Sequence, residues 1–300
     1  MIEAKIILDS ITEAGDRLTT MEICFHRYVL AEFNTHRAFS RNSASSRAIP
    51  IEKQLAKIRE DTAFPIEFGS NQSGMQAGPP LTGKELEHAM AAWGEARDSA
   101  VEHAEKMLAL GVHKQVTNRL LEPFMWHTAI VSATDYKNFF GLRNNVLAQP
   151  EIHELARLMV DAYDNSEPTL LQPDEWHTPY IHCAEDAEQW LAKGWFGNSL
   201  AEDLVPVLKK VSAARCGRVS YLTQDGKRDL EKDLELYDRL TSADPAHASP
   251  LEHVATPNAH NVQPLVNCPL RLPKVGNFVG WTQLRHENTR YLLDSERDYE

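Results

Sequence analysis

Two runs of β-branched and apolar residues open the chain, IEAKIILD at residues 2 to 9 and LTTMEICF at 18 to 25, with a turn-like EAGD between them. Such runs around a glycine-bearing turn predict a hairpin or two neighbouring strands. Further along the chain the periodicity becomes helical. Thr82 and Glu85 have capping-box spacing, and Leu86, Met90, Trp93, Val101, Ala104 and Leu108 recur at multiples of three or four, so a helix is predicted over 83–110 with Gly111 as its stop. Residues 112–143 read as one or two further helices broken near Pro123, and Ile152, Leu155 and Met159 give the next helix an apolar stripe. The expected fold class is α+β, a small mixed or antiparallel sheet flanked by long helices.

Residues 165–181, NSEPTLLQPDEWHTPYI, hold three prolines and little periodicity, and divide the chain into 1–164, a Pro-rich linker at 165–181, and 182–300. Beyond them, helical stretches are expected near 186–193, 199–214 and 228–241. A Pro-rich loop is expected over 245–275, then a strand or helix start at 277–285.

Composition narrows the function. With 43 acidic and 31 basic residues the formal charge is -12, which disfavours nucleic acid as a partner because duplex binding draws on many Lys and Arg contacts to phosphate. Every apolar run is soon interrupted by a charge, and the N-terminus lacks the order of a signal peptide, so neither membrane nor export is expected and a cytoplasmic location is. Cys24, Cys183, Cys216 and Cys268 lie far apart, as reduced, packed thiols would. The sets His177/His182 and His247/Glu252/His253 are spaced more loosely than zinc ligands, and no metal is expected. No GxGxxG, GxSxG or Walker loop occurs.

Two stretches without a single acid stand out against the charge of -12. Residues 33–51, FNTHRAFSRNSASSRAIPI, combine His36, Arg37, Arg41 and Arg47 with five hydroxyl side chains, a mixture that suits phosphate oxygens or a solvated Ser-rich turn. Residues 136–150, YKNFFGLRNNVLAQP, offer Lys137, Asn138, Arg143, Asn144, Asn145 and Gln149, which suit a base or flavin edge or a helix C-terminus.

The segment THRAFSRNSASSR, residues 35–47, resembles the signature of flavin-dependent thymidylate synthases, with His36, Arg37, Ser40, Asn42, Ser45 and Arg47 on matched positions. RLLEP at 119–123 and NFFGLRNNVLAQPEI at 138–152 are similar to two further blocks of that family and add Arg119, Asn138, Arg143 and Gln149. RVSY at 218–221, SPLEH at 249–253 and NFVGWTQLRH at 277–286 resemble pieces that normally precede the signature, so the chain looks like a rearranged member of the phage and actinobacterial kind.

The resemblance implies FAD reduced by NADPH, with methylene-tetrahydrofolate giving one carbon to C5 of deoxyuridylate to form thymidylate. Hydroxymethylation of a deoxypyrimidine monophosphate (dUMP or dCMP) and a nucleotide-binding homologue without flavin catalysis are its alternatives. It assigns His36, Arg37, Ser40, Asn138, His253 and Arg285 to FAD, and Ser45, Arg47, Arg119 and Arg143 to the nucleotide. It also implies a homotetramer with sites between subunits. No side chain is expected to act as nucleophile, since the flavin carries the redox chemistry. Thr35, Glu32, Ser43, Ala48 and Leu147 depart from the family pattern, and Arg41, Arg215, Arg218, His253 or Arg285 are candidates to replace the missing charge, Arg285 foremost.

Overall fold

The computed structural model describes residues 1–182, 186, 188–190, 204–221, 229–258 and 276–287. The N-terminal hairpin forms as the sequence predicts. Strand β1 (Glu3–Ile11) pairs antiparallel with β2 (Arg17–His26), Glu3 lying opposite Cys24 and Ile11 opposite Arg17. After the short helix α1 (Leu30–Asn34), strand β3 (Ser40–Ser43) carries part of the acid-free segment. Helix α2 (Ile51–Glu60) precedes α3 (Gly83–Ala109), which matches the expected 83–110, although the Thr82 side chain makes no capping bond. Gly111 ends the helix with φ +75, a conformation that a side chain would strain.

The expectation of helices throughout 112–143 is corrected in its middle. A short helix α4 (Lys114–Thr117) and a 3-10 turn through Pro123 lead into strand β4 (Trp126–Ala133), and only then does helix α5 (Lys137–Arg143) begin. The sequence WHTAIVSA is a short apolar run whose periodicity does not separate strand from buried helix, and pairing on both sides decides it. Strand β4 lies between β2, with Thr19 opposite Ala133, and β3, with Ser40 opposite Ser132. Helix α6 (Pro150–Asp164) comes next, and β5 (Thr169–Leu170) adds parallel to β1. The sheet order is β3-β4-β2-β1-β5 and its sense is mixed, as expected of this α+β fold.

Alternation along the strands gives the sheet two unlike faces. On one, Met21, Ile23, Phe25, Ala129, Val131 and Ala133 meet Ile152, Leu155 and Met159 of α6, all at most 1% exposed. Burying each large aliphatic side chain there contributes roughly 1.5–3 kcal/mol. Helices α2 and α3 build a separate cluster of Ile51, Leu55, Ile58, Val101 and Ala104 with Leu121 and Phe124.

The second face is covered by chain beyond β5. The Pro-rich segment packs onto it, and the N–H of His177 donates to the Ala255 carbonyl at 2.8 Å. Helix α7 (Leu204–Arg218) brings Cys216 against Ile130, and helix α8 (Leu230–Thr241) packs on α7. Strand β6 (Ala255–Pro257) pairs with β7 (Trp281–Gln283), placing Trp281 against Leu18. Gly280 approaches the first hairpin so closely that an added Cβ would sit 2.2 Å from the Asp16 carboxylate. Within this layer, Arg215 bonds both Asp186 and Asp233, and Arg218 bonds Asp233, so these two arginines serve the packing of α7 and α8 and do not replace a charge at the signature. Of the expected helices at 186–193 and 199–214 and the expected loop at 245–275, residues 187, 191–193, 199–203 and 259–275 lie outside the described residues, as do Cys183 and Cys268, and strand β6 forms within the expected loop because β7 pairs with it. Among the described residues, no helix is long and apolar enough to cross a membrane.

Candidate functional site

The acid-free signature divides into three short stretches with different surroundings. The first lies just after α1. His36 is 7% exposed, stacked on Phe39 with ring centroids 6.1 Å apart and met edge-on by Phe139 at 4.9 Å. Its Nε2 accepts from Nε of Arg143 at 3.0 Å, so the two acid-free segments, 107 residues apart in sequence, meet at this pair. Burial, and then the Arg143 guanidinium, lower the imidazole pKa, while a bond to Asn138 opposes the shift. A second Arg143 nitrogen reaches the Glu32 carbonyl at 3.5 Å and the Thr35 hydroxyl at 3.4 Å. The cation that touches Thr35 is therefore Arg143. Arg37 and Asn138 are exposed, and Leu147, at a position where the family resemblance expects a histidine, is 66% exposed.

Strand β3 forms the second stretch, and its alternation sends Arg41 towards α1 while Ser40 and Asn42 face the C-terminal layer. Arg41 reaches the carbonyls of Phe33 and His36 at 3.5 and 3.4 Å. Ser40 Oγ donates to Glu252 at 2.8 Å, Glu252 accepts from Arg285 at 2.7 Å, and Gln283 Nε2 donates to Ser40 Oγ at 3.1 Å. Beside it, six buried side chains cross the sheet in one line. Asn42 meets His253 Nε2 at 3.2 Å, His253 Nδ1 meets Ser132 at 2.8 Å, and Ser132 meets Thr20 at 2.6 Å. Thr20 meets His177 Nε2 at 2.8 Å and His177 Nδ1 meets Ser10 at 2.8 Å. Burial drives both histidines down to a pKa of about 3, so both are neutral.

The displaced blocks SPLEH and NFVGWTQLRH thus lie against the signature strand, although 211 residues of chain separate Asn42 from His253. Their expected part in touching a cofactor needs correction in one respect. His253 is 0% exposed and Ser40 1%, with their polar atoms engaged by protein partners, so both support strand β3 from behind.

The third stretch is the loop from Ala44 to Pro50. Asn118, fully buried, donates to the carbonyls of Ser46 and Ile49 at 2.6 and 3.1 Å, and Lys114 donates to that of Ala48 at 2.9 Å. Ser45 is half-buried, its N–H bonded to the Ser220 carbonyl of the RVSY block, and Arg47 points outward, exposed. Arg119 lies nearby, bonded to Glu122 at 2.6 Å. Next to this loop a cavity of about 300 Å³ opens, lined among others by Arg27, Ser46, Gln54, Lys57, Trp126 and His127. His127 Nδ1 accepts from Arg27 at 2.9 Å, and burial lowers its pKa to about 3. Arg27, Glu122 and Asn118 escaped the sequence reading, because a lone charge or amide in a strand or turn carries no periodic signal, and His177, which the sequence offers only as a loosely spaced metal ligand, is instead part of the buried polar line.

Residues 17–169, half of the chain, match the family described as thymidylate synthase complementing protein. The chain belongs to that family. No curated protein sequence matches it. Among solved structures, a UMP/dUMP methylase PolB from Streptomyces cacaoi, bound with 5-Br dUMP, overlays with a TM-score of 0.43 at 12% identity, covering 54% of this chain and 90% of that one. Its complex with 5-Br UMP gives the same TM-score and identity, over 88% of that chain. Thymidylate Synthase X from Helicobacter pylori with FAD and dUMP overlays with a TM-score of 0.35 at 19% identity, covering 49% of this chain and 67% of that one.

The family match covers the first two of the resembling blocks and stops before the third. In this family member, the layer after residue 170 is what closes the second sheet face and engages Ser40, Asn42 and Ser45. Among the described residues, no group of three or more His, Cys, Asp or Glu side chains is placed to hold a metal.

Proposed function

We propose that the protein is an FAD-dependent thymidylate synthase: it transfers a one-carbon unit from methylene-tetrahydrofolate to C5 of deoxyuridylate, with NADPH as reductant. The observation that carries this reading is the meeting of His36 and Arg143, which joins the two acid-free segments that resemble the family's flavin and nucleotide motifs. Family membership supports it.

The residues present fit a flavin with its pyrophosphate. Arg37 is exposed with no side-chain partner among the described residues, Asn138 stands exposed beside His36, and His36 is kept neutral by burial and Arg143. Under this reading His36, Arg37 and Asn138 hold FAD, with Ser40, His253 and Arg285 fixing the strand behind them. Ser45, Arg47, Arg119 and Arg143 hold the nucleotide. A bound flavin supplies the hydride, so the chain itself needs only to bind and orient both ligands and exclude water. Arg37 suits the oxygens of the flavin pyrophosphate because a guanidinium offers a planar fork of donors.

Leu142, Val146 and Leu147, exposed at 58%, 83% and 66% around Arg143, support completion of the site by another subunit, in a homotetramer. The visible spectrum of the purified protein tests the cofactor assignment. Flavin bands that deoxyuridylate perturbs are expected; a protein that stays colourless after incubation with FAD overturns it, and leaves a nucleotide-binding homologue. Light scattering tests the assembly, and a monodisperse monomer with tightly bound FAD would contradict it.

A further inference from the structure

Three donors converge on a single carboxylate oxygen between α4 and β4. Glu122 Oε1 accepts from Arg119 at 2.6 Å, from Ser46 Oγ at 3.1 Å and from Arg27 at 3.2 Å. One oxygen has too few lone pairs to serve three donors with good geometry. A phosphate monoester offers three terminal oxygens and nearly twice the charge, so the same three donors are better satisfied by it. The glutamate side chain is 24% exposed and Arg119 half exposed, while Arg27 is 14% exposed and Ser46 is buried, so the group meets solvent from its Arg119 side.

The surroundings fit a ligand larger than an ion. Arg27 and Ser46 also line the 300 Å³ cavity, where Gln54 and Lys57 add further donors, a size at the small end of ligand pockets. Glu3, Glu60 and Asp61 line the same cavity, which leaves the Arg27–Ser46 end as the place for an anion. Asn118 and Lys114 pin the loop that carries Ser46, so this donor is preset. Arg27 is itself held by His127, whose depressed pKa leaves Nδ1 free to accept.

We propose that Arg27, Arg119 and Ser46 form a phosphomonoester site and that Glu122 is its built-in counter-anion, displaced when the ligand's phosphate binds. Identification of the ligand as deoxyuridylate rests on the function proposed above; the anion exchange does not. Glu122 lowers affinity for every phosphate and thereby rejects free inorganic phosphate, while a nucleotide recovers the loss through contacts of its sugar and base in the cavity.

Calorimetry with inorganic phosphate and with deoxyuridylate, on the full-length protein and its E122Q variant, tests this. Removing one like charge about 5 Å from the phosphate should tighten both ligands about tenfold, and inorganic phosphate should then become a competitor of the nucleotide. Unchanged or weaker phosphate binding by folded E122Q overturns the proposal. Arg119→Gln, at an exposed position that folding tolerates, gives a second reading: it should weaken phosphate binding severalfold, and no change overturns the proposal as well. Phosphate binding that tightens in E122Q while neither form binds deoxyuridylate keeps the anion site and removes the proposed function. Deoxyuridylate binding equally to both forms does the reverse.

Discussion

The two faces of the central sheet are built on opposite principles. One is an apolar surface, Met21, Ile23, Phe25, Ala129 and Val131 against the stripe of α6, and it is held by burial that any hydrophobic side chain of the right volume can provide. The other carries Ser10, Thr20, Ser132 and Asn42 at its centre, and it is held by His177 and His253, each bonded through both ring nitrogens. Buried polar groups cost heavily when unpaired, so this second face tolerates only the partners it has. The first face accordingly supplies bulk stability, and the second fixes where the C-terminal layer sits on the signature strand.

Acid should break this contrast most strongly. Neutral His177 and His253, with pKa values near 3 in the fold, take up a proton near 6.5 once unfolded. The unfolded state thus binds more protons at low pH. Their stabilisation is complete above pH 6.5 and declines as pH falls towards 3, by about 1.4 kcal/mol per histidine per pH unit. Between pH 6.5 and 4.5 the pair accounts for roughly 5 kcal/mol on that basis. Urea unfolding across this range should show the loss. His127 shares the direction, so the decisive comparison is with His253→Gln, whose pH slope should be shallower; an identical slope would refute the role of that histidine.

Leu155→Ala, on the apolar face, should cost about 2–5 kcal/mol at every pH, because a fully buried leucine leaves a cavity. Chemical denaturation reads this, and a pH-dependent cost would blur the contrast between the faces. Thr20→Val removes the hydroxyl that links Ser132 to His177 and should cost about 1–3 kcal/mol through the partners it leaves unpaired. Equal stability of the variant would show that the line of hydrogen bonds contributes nothing net. Smallest is Arg37→Ala: at this exposed rim position stability should change by less than about 0.5 kcal/mol, while flavin content falls. Full flavin retention would remove Arg37 from the proposed site.

The same contrast explains what could be read from the sequence. Helix α6 and the first hairpin were legible because Ile152, Leu155 and Met159, and the β-branched runs around EAGD, repeat with the period of their element. The signature and Arg143 were legible because an acid-free stretch is rare in a chain with 43 acids. Strand β4 was not, since eight residues of WHTAIVSA satisfy either period until β2 and β3 pair with them. Nor was the polar line across the second face, because each member is an ordinary serine, threonine, asparagine or histidine whose partner lies 112 to 211 residues away. Within RLLEP, nothing in the sequence distinguishes Glu122 from any other acid. Only the fold brings Arg27 and Ser46 to the same oxygen.

The product of the proposed reaction distinguishes it from its alternatives. The full-length protein, loaded with FAD and supplied with NADPH, methylene-tetrahydrofolate and deoxyuridylate, should yield thymidylate, identified by mass spectrometry as deoxyuridylate plus one CH2. A hydroxymethylated nucleotide, or deoxyuridylate recovered unchanged from protein shown to bind both flavin and nucleotide, would contradict it.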